Sequence, residues 1–73
     1  MAAQTGLITI EIKDVVEFRE SCEESYVYIT DIRSTNGVYD MHIEFQTIAQ
    51  VFVCGQLFLK KIVEKERIAL ENE

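Results

Sequence analysis

The side chains with the most chemical potential in this sequence are a single histidine, His42, and two cysteines, Cys22 and Cys54. A nucleophile triad would need His42 as its base. We predict that His42 lies on a solvent-facing strand opposite Asp31, as an ordinary surface pair. The alternative is a histidine tuned by a carboxylate to act as a base or a pH sensor. We therefore expect no catalytic residues and no enzymatic activity.

Metal and cofactor sites are not expected either. The two cysteines lie 32 positions apart with no C-x-x-C spacing, and with one histidine they cannot complete a zinc site. The three glycines are isolated, so they cannot form a phosphate-binding loop. Two cysteines are also too few for a disulfide scaffold, which favours free thiols and a reducing cytoplasmic location.

Four glutamates near the end of the first predicted strand form an acidic run: Glu17, Glu20, Glu23 and Glu24. It lacks the alternating ligands and central glycine of a calcium loop. It could bind a basic partner, although charge runs usually serve solubility. The net charge of −6 lies entirely in residues 1–46, because residues 47–73 carry four acids and four bases. Direct binding to nucleic acid or to an anionic membrane is therefore disfavoured.

Length and composition indicate one small domain spanning residues 1–73. The hydrophobic fraction of 48% is typical of globular proteins, and the sequence contains no proline. The first residues lack the basic and apolar regions of a signal peptide. We expect no transmembrane segment, because Gln50 and Gln56 interrupt the longest apolar run and Lys60 ends it.

The elements that must position these residues begin with residues 6–19. Apolar and polar residues alternate there, which predicts a half-buried strand with a bend near Asp14. A competing interpretation is a short helix over about 15–23. Residues 14–17 resemble a capping box, and Val15, Phe18 and Cys22 have helical spacing.

A β-hairpin is predicted over residues 26–34 and 38–45. Asn36-Gly37 separates the two runs, and this dipeptide suits a type I′ turn, which needs positive φ at both central residues. That turn makes paired residue numbers sum to 73, so Asp31 faces His42 and Tyr28 faces Phe45. We expect Tyr26, Tyr28 and Tyr39 mostly on the apolar face of the sheet.

A long C-terminal helix is predicted over about 48–70, opened by a capping box of Thr47 and Gln50. On a helical wheel, one broad stripe should pack on the sheet with Gly55 near its centre. We call it the predicted core face; it comprises Ile48, Val51, Phe52, Gly55, Phe58, Leu59, Ile62, Val63, Ala69 and Leu70. Gly55 costs about 1 kcal/mol against alanine in mid-helix, so a packing reason is expected for it.

A second apolar group lies on the other side of this helix and at its end. We call it the predicted partner patch; it comprises Val53, Leu57, Ile68 and Leu70. Scattered apolar residues on a surface need no special explanation. The alternative is a helix–helix contact with a protein partner, most simply within a homodimer.

The expected fold is therefore an α+β domain: an antiparallel β-meander (strands about 6–19, 26–34 and 38–45) followed by one long helix. With the helix at 15–23, the order becomes β-α-β-β-α. The expected function is a small acidic, non-enzymatic interaction module, a homodimeric adaptor or an inhibitor of a larger protein. The first alternative is an acidic nucleic-acid mimic that blocks a basic groove. Another is an enzyme formed at a dimer interface from His42, Asp31 and a cysteine.

Overall fold

A computed structural model describes residues 3–72 of the chain. The elements, in order, are β1 (Gln4–Glu11), a 3₁₀ turn (Ile12–Asp14), α1 (Val15–Glu24), β2 (Tyr28–Thr35), β3 (Val38–Phe45) and α2 (Ile48–Glu71). The expected α+β class is confirmed, as are the three antiparallel strands and the long C-terminal helix.

The chain after β1 adopts the helical alternative, and the strand expected to reach residue 19 ends at Glu11. The length of β1 is limited by the length of its partner strand, β3. β3 has eight residues, and every residue of the eight-residue β1 already pairs with it. A longer strand would have unpaired backbone groups, whereas α1 satisfies its own and buries Phe18 and Cys22.

The sheet has the order β1-β3-β2, so it is not a meander. α1 carries the chain from β1 to the far side of the sheet, and β3 then returns between the two earlier strands. β3 pairs antiparallel with both neighbours, for example through Met41, which lies opposite Ile8 and Ile32.

The predicted turn between β2 and β3 is confirmed by the positive φ angles of Asn36 (46°) and Gly37 (83°). The predicted register holds from the Thr35–Val38 pair to the Asp31–His42 pair. Beyond it the register shifts, because Thr30 is an extra residue that forms a β-bulge.

In the part of β2 before the bulge, the shift reverses which side chains reach the core. Ile29 now lies opposite Ile43 on the apolar face, while Tyr28 lies opposite Glu44 and is exposed. The expected core position of Tyr28 is therefore wrong. Tyr26 is also exposed, since it lies in the connection before β2 with φ at 59°. Tyr39 is half-buried against the core, as expected.

The hydrophobic core lies between one face of the sheet and the two helices. Its buried members are Ile10, Met41, Ile43 and Phe45 from the strands, and Phe18, Cys22, Val27 and Cys54 from the rest of the chain. The radius of gyration is 13.2 Å, whereas a compact chain of this length would have about 11 Å. The difference reflects α2, which at about 1.5 Å per residue is roughly 36 Å long and extends past the eight-residue strands.

Candidate functional site

Helix α2 carries the candidate functional surface. The predicted capping pair, Thr47 and Gln50, is present at its start. The Gln50 side-chain oxygen accepts hydrogen bonds from the backbone N–H groups of Thr47 (2.9 Å) and Gln46 (2.6 Å). Residues 48–59 contain no charged side chain, so the first half of the helix offers water a largely apolar surface.

The orientation of α2 differs from the prediction. Within residues 48–71 the one fully buried side chain is Cys54, with Val51 and Phe58 packed partly against the core. Seven of the ten members of the predicted core face are exposed to water. Its most exposed members are Phe52 and Leu70 (both 70%), Leu59 (64%), Ile48 (58%) and Val63 (55%).

The physical reason for this rotation is α1. The prediction gave α2 the whole sheet to cover, but α1 occupies part of the same face and packs antiparallel against α2. The ring of Phe18 meets that of Phe58 edge to face, with centroids 5.4 Å apart. α2 therefore turns its Cys54 side towards α1 and the sheet, and one apolar side away from both.

We call the surface formed by Ile48, Phe52, Leu59 and Val63 the α2 stripe. Gly55 lies midway along it, on the edge next to Val51, and a Cβ placed on Gly55 would meet no atom within 4 Å. The packing reason expected for this glycine is therefore absent from the described part of the chain. The side chains around Gly55 line a shallow apolar depression of about 330 Å³.

The predicted partner patch is divided among three places. Val53 is exposed on a separate side of α2, and Leu70 is exposed near its end. Leu57 and Ile68 line an open groove of about 650 Å³ between the two helices. The groove's remaining lining is charged: Glu24, Lys60, Lys61, Glu64 and Lys65.

The acidic run lies on α1, and α2 neutralises part of it. Lys65 Nζ lies 2.9 Å from a carboxylate oxygen of Glu17, and Lys61 Nζ lies 3.2 Å from one of Glu24. The hydrogen bond from Lys65 lowers the pKa of Glu17. Glu20 and Glu23 remain exposed. Half of the predicted acidic surface thus serves to hold the helices together.

The two cysteines, distant in sequence, meet in the core. Their Sγ atoms are 3.6 Å apart, and both are free thiols. The contact with Cys22 lowers the pKa of Cys54, and the reciprocal contact raises the pKa of Cys22. The helical spacing of Val15, Phe18 and Cys22 was the sequence signal that could have brought these thiols together.

The sequence also raised the questions of a catalytic histidine, a metal site and a membrane-spanning helix. His42 lies opposite Asp31 on the exposed sheet face, as the register predicts. Across residues 3–72, no group of three or more histidine, cysteine or acidic side chains could hold a metal ion. In the same range, no helix has the length and apolar character needed to cross a membrane.

Comparison with known protein families, curated proteins and solved structures finds no match.

Proposed function

We propose that this chain is a non-enzymatic, cytoplasmic interaction module that forms a homodimer through α2, and that the dimer acts as an adaptor or as an inhibitor of a larger protein. The observation that carries the proposal is the α2 stripe, whose four large apolar side chains are 55–70% exposed. Single exposed apolar residues are common, but a contiguous row of them on one helix face marks an interaction surface.

The α2 stripe is complementary to itself under a two-fold rotation. Its members lie symmetrically about the point between Gly55 and Gln56. A two-fold axis through that point sets two antiparallel copies of α2 against each other. Ile48 then meets Val63 of the second copy, and Phe52 meets Leu59 of the second copy. Every large apolar group of the stripe gains an apolar partner, which favours a second copy of this chain as the occupant.

Gly55 supports the same arrangement. It weakens the helix by about 1 kcal/mol relative to alanine, and the open space around it shows no compensation within the described chain. At the crossing point of two helices, a missing side chain lets the backbones approach closely. The dimer therefore supplies the packing reason that the single chain lacks.

The distribution of charge along α2 and the apolar area of the α2 stripe are compatible with a dimer of low affinity. An antiparallel crossing about this axis sets residues 48–63 of the two copies against each other. Lys60 and Lys61, the charged residues in that range, line the groove on another side of α2. The charged end of the helix from Glu64 onwards projects past the contact. Each stripe exposes on the order of 400 Å² of apolar surface, the size of a functional patch on a monomer. Two copies together would bury on the order of 800 Å², which corresponds to a weak, concentration-dependent complex.

A matched pair of variants tests this surface. Sedimentation or light scattering should give twice 8.4 kDa for the wild-type chain at high micromolar concentration. Phe52→Asp should give the monomer mass, because it places a charge in the apolar contact. Val53→Asp introduces the same group on the next residue, which is exposed on another side of α2, and should leave the dimer intact. Circular dichroism checks that both variants fold.

Two outcomes would overturn this interface. A wild-type monomer at high micromolar concentration would exclude the homodimer. Dissociation by Val53→Asp or Leu57→Lys, with no effect of Phe52→Asp, would place the contact at the predicted partner patch instead.

The nucleic-acid mimic receives less support. A mimic needs free carboxylates at the surface, and two of the four in the acidic run are paired with Lys61 and Lys65. Glu20 and Glu23 remain exposed, but two adjacent turns of one helix present little of the extended charge that a basic groove would bind.

A further inference from the structure

The contact between α1 and α2 places two thiols together in the core. Cys22 and Cys54 are 2% and 3% exposed, and their Sγ atoms lie 3.6 Å apart. The proposed function uses neither side chain. Each contributes to the small core, but any small apolar residue could fill that volume, so the pairing of two thiols has no packing explanation of its own.

On each side of the sulfur pair, a further contact holds α2 against α1 or the residues that follow it. One helical turn away in one direction, the rings of Phe18 and Phe58 pack edge to face. In the other direction, the Gln50 side-chain amide donates to the backbone carbonyl of Tyr26, just past the end of α1, at 3.4 Å. The helices are therefore in antiparallel register around the sulfur pair, which limits how far the sulfurs can separate.

We infer that Cys22 and Cys54 form an oxidative modification site, at which a low-molecular-weight disulfide converts the two thiols into an intrachain disulfide that joins α1 to α2. An S–S bond is about 2.05 Å long, so the two sulfur atoms, now 3.6 Å apart, must approach by about 1.5 Å for the bond to form. The inference does not depend on dimer formation.

The reaction is two thiol–disulfide exchanges. The thiol of Cys54 loses its proton to solvent, and its thiolate attacks one sulfur of oxidised glutathione. This step forms a mixed disulfide on Cys54 and releases one glutathione thiolate, which takes up a proton. Cys22 then loses its proton to solvent, and its thiolate attacks the Cys54 sulfur. The Cys54–glutathione bond breaks, and the second glutathione leaves as a thiolate that takes up a proton. Two protein thiols are oxidised to one disulfide, and one molecule of oxidised glutathione is reduced to two of the thiol.

The lowered pKa of Cys54 supports its role as the attacking group, because the thiolate is the nucleophile. Both thiols are buried, so the first exchange needs a local opening of the two helices. The second exchange occurs when the helices close and bring Cys22 back against Cys54. The native packing should therefore favour the disulfide over the mixed disulfide.

The test uses the full chain in buffers of defined oxidised and reduced glutathione, with acid quenching and intact mass measurement. In native buffer we expect a species lighter by two hydrogens, with no glutathione attached. Peptide mapping should place the bond between Cys22 and Cys54. At the same glutathione ratio, the ratio of disulfide to dithiol should be on the order of a hundredfold higher in native buffer than in concentrated urea, because native packing and the disulfide stabilise each other.

Cys22→Ser and Cys54→Ser variants serve as controls, since each keeps one thiol and can form only adducts or interchain disulfides. The wild-type measurement needs neither variant to fold. Three results would overturn the inference: wild-type protein that forms only glutathione adducts, interchain disulfides as the main product, or a disulfide no more favoured in native buffer than in urea.

Discussion

At the scale of single residues, Lys65 connects the far half of α2 to the start of α1. Its ammonium group contacts carboxylate oxygens of Glu17 (2.9 Å) and Asp14 (3.4 Å) and donates to the backbone carbonyl of Lys13 at 2.6 Å. The bond from Lys65 is the main cause of the lowered pKa of Glu17, and the bond to Glu17 is the main cause of the raised pKa of Lys65. These polar contacts anchor the far half of α2 to the start of α1 and to the turn before it.

This cluster predicts a pH dependence of stability. The pKa of Glu17 is lower in the folded chain than its ordinary value of 4.5. Its stabilising contribution is therefore fully present above pH 4.5 and is lost as pH falls through the lower folded value. Glu17→Gln should lower the thermal midpoint by a few degrees at neutral pH, and the difference from wild type should shrink in acid. The measurement is thermal unfolding by circular dichroism across that range.

Glu20→Gln is the matched control for this experiment, because Glu20 is an exposed glutamate on the same helix. It should change the midpoint little at any pH. A loss in Glu17→Gln that stays constant from neutral pH into acid would show that ionisation of Glu17 does not stabilise the fold.

At the scale of elements, α2 has two apolar sides and only one of them packs within the chain. α1 and the sheet cover the side that carries Cys54, and the α2 stripe, with Gly55 midway along it, is left uncovered. The helix could gain stability by replacing this glycine, since a Cβ at that position meets nothing within 4 Å. A glycine at this position is physically consistent with a close approach from outside the chain.

The Gly55→Ala variant separates the effect of this glycine on helix stability from its effect on the affinity of the proposed dimer. It should stabilise the monomer by about 1 kcal/mol, because alanine is the better helix former. It should weaken the dimer about tenfold, because a methyl group at the crossing point forces the helices apart. Urea unfolding below the dissociation concentration measures the first effect, and sedimentation equilibrium measures the second. A dimer of unchanged or higher affinity would place the crossing away from Gly55.

At the scale of the whole molecule, the chain has a small core and an extended shape. A domain of this size buries only about 60% of its unfolded surface, so its stability is modest. Burial of the α2 stripe would add apolar contact without enlarging the chain. In the proposed dimer, association would contribute to stability by mass action, because only the folded state would bind a second copy.

The thermal midpoint should therefore rise with protein concentration, by several degrees across a hundredfold range of micromolar concentrations. Phe52→Asp should remove this dependence, and Val53→Asp should preserve it. Differential scanning calorimetry or fluorimetry at several concentrations provides the measurement. A wild-type midpoint independent of concentration would contradict a dimer coupled to folding.

Several features of this protein follow from its sequence alone because they depend on local contacts. Asn36-Gly37 determines the turn, since few residue pairs accept positive φ at both positions, and the nearest strand pairs follow from the turn. The start of α2 follows from Thr47 and Gln50, which satisfy backbone groups within one helical turn. The α+β class follows from the lengths and periods of these segments.

Only the tertiary structure determines which side of α2 is buried. The side that stays exposed carries the α2 stripe, which is the candidate functional surface. The side depends on whether residues 15–24 form a strand or a helix, and local patterning fits both. The eight-residue limit of β3 excludes the longer strand, α1 then shares the sheet with α2, and Cys54 faces the core beside Cys22. The exposed α2 stripe and the buried thiol pair both result from the packing of two helices on one sheet face. The two helices are far apart in the chain, so the local periodicity of the sequence cannot predict how they share that face.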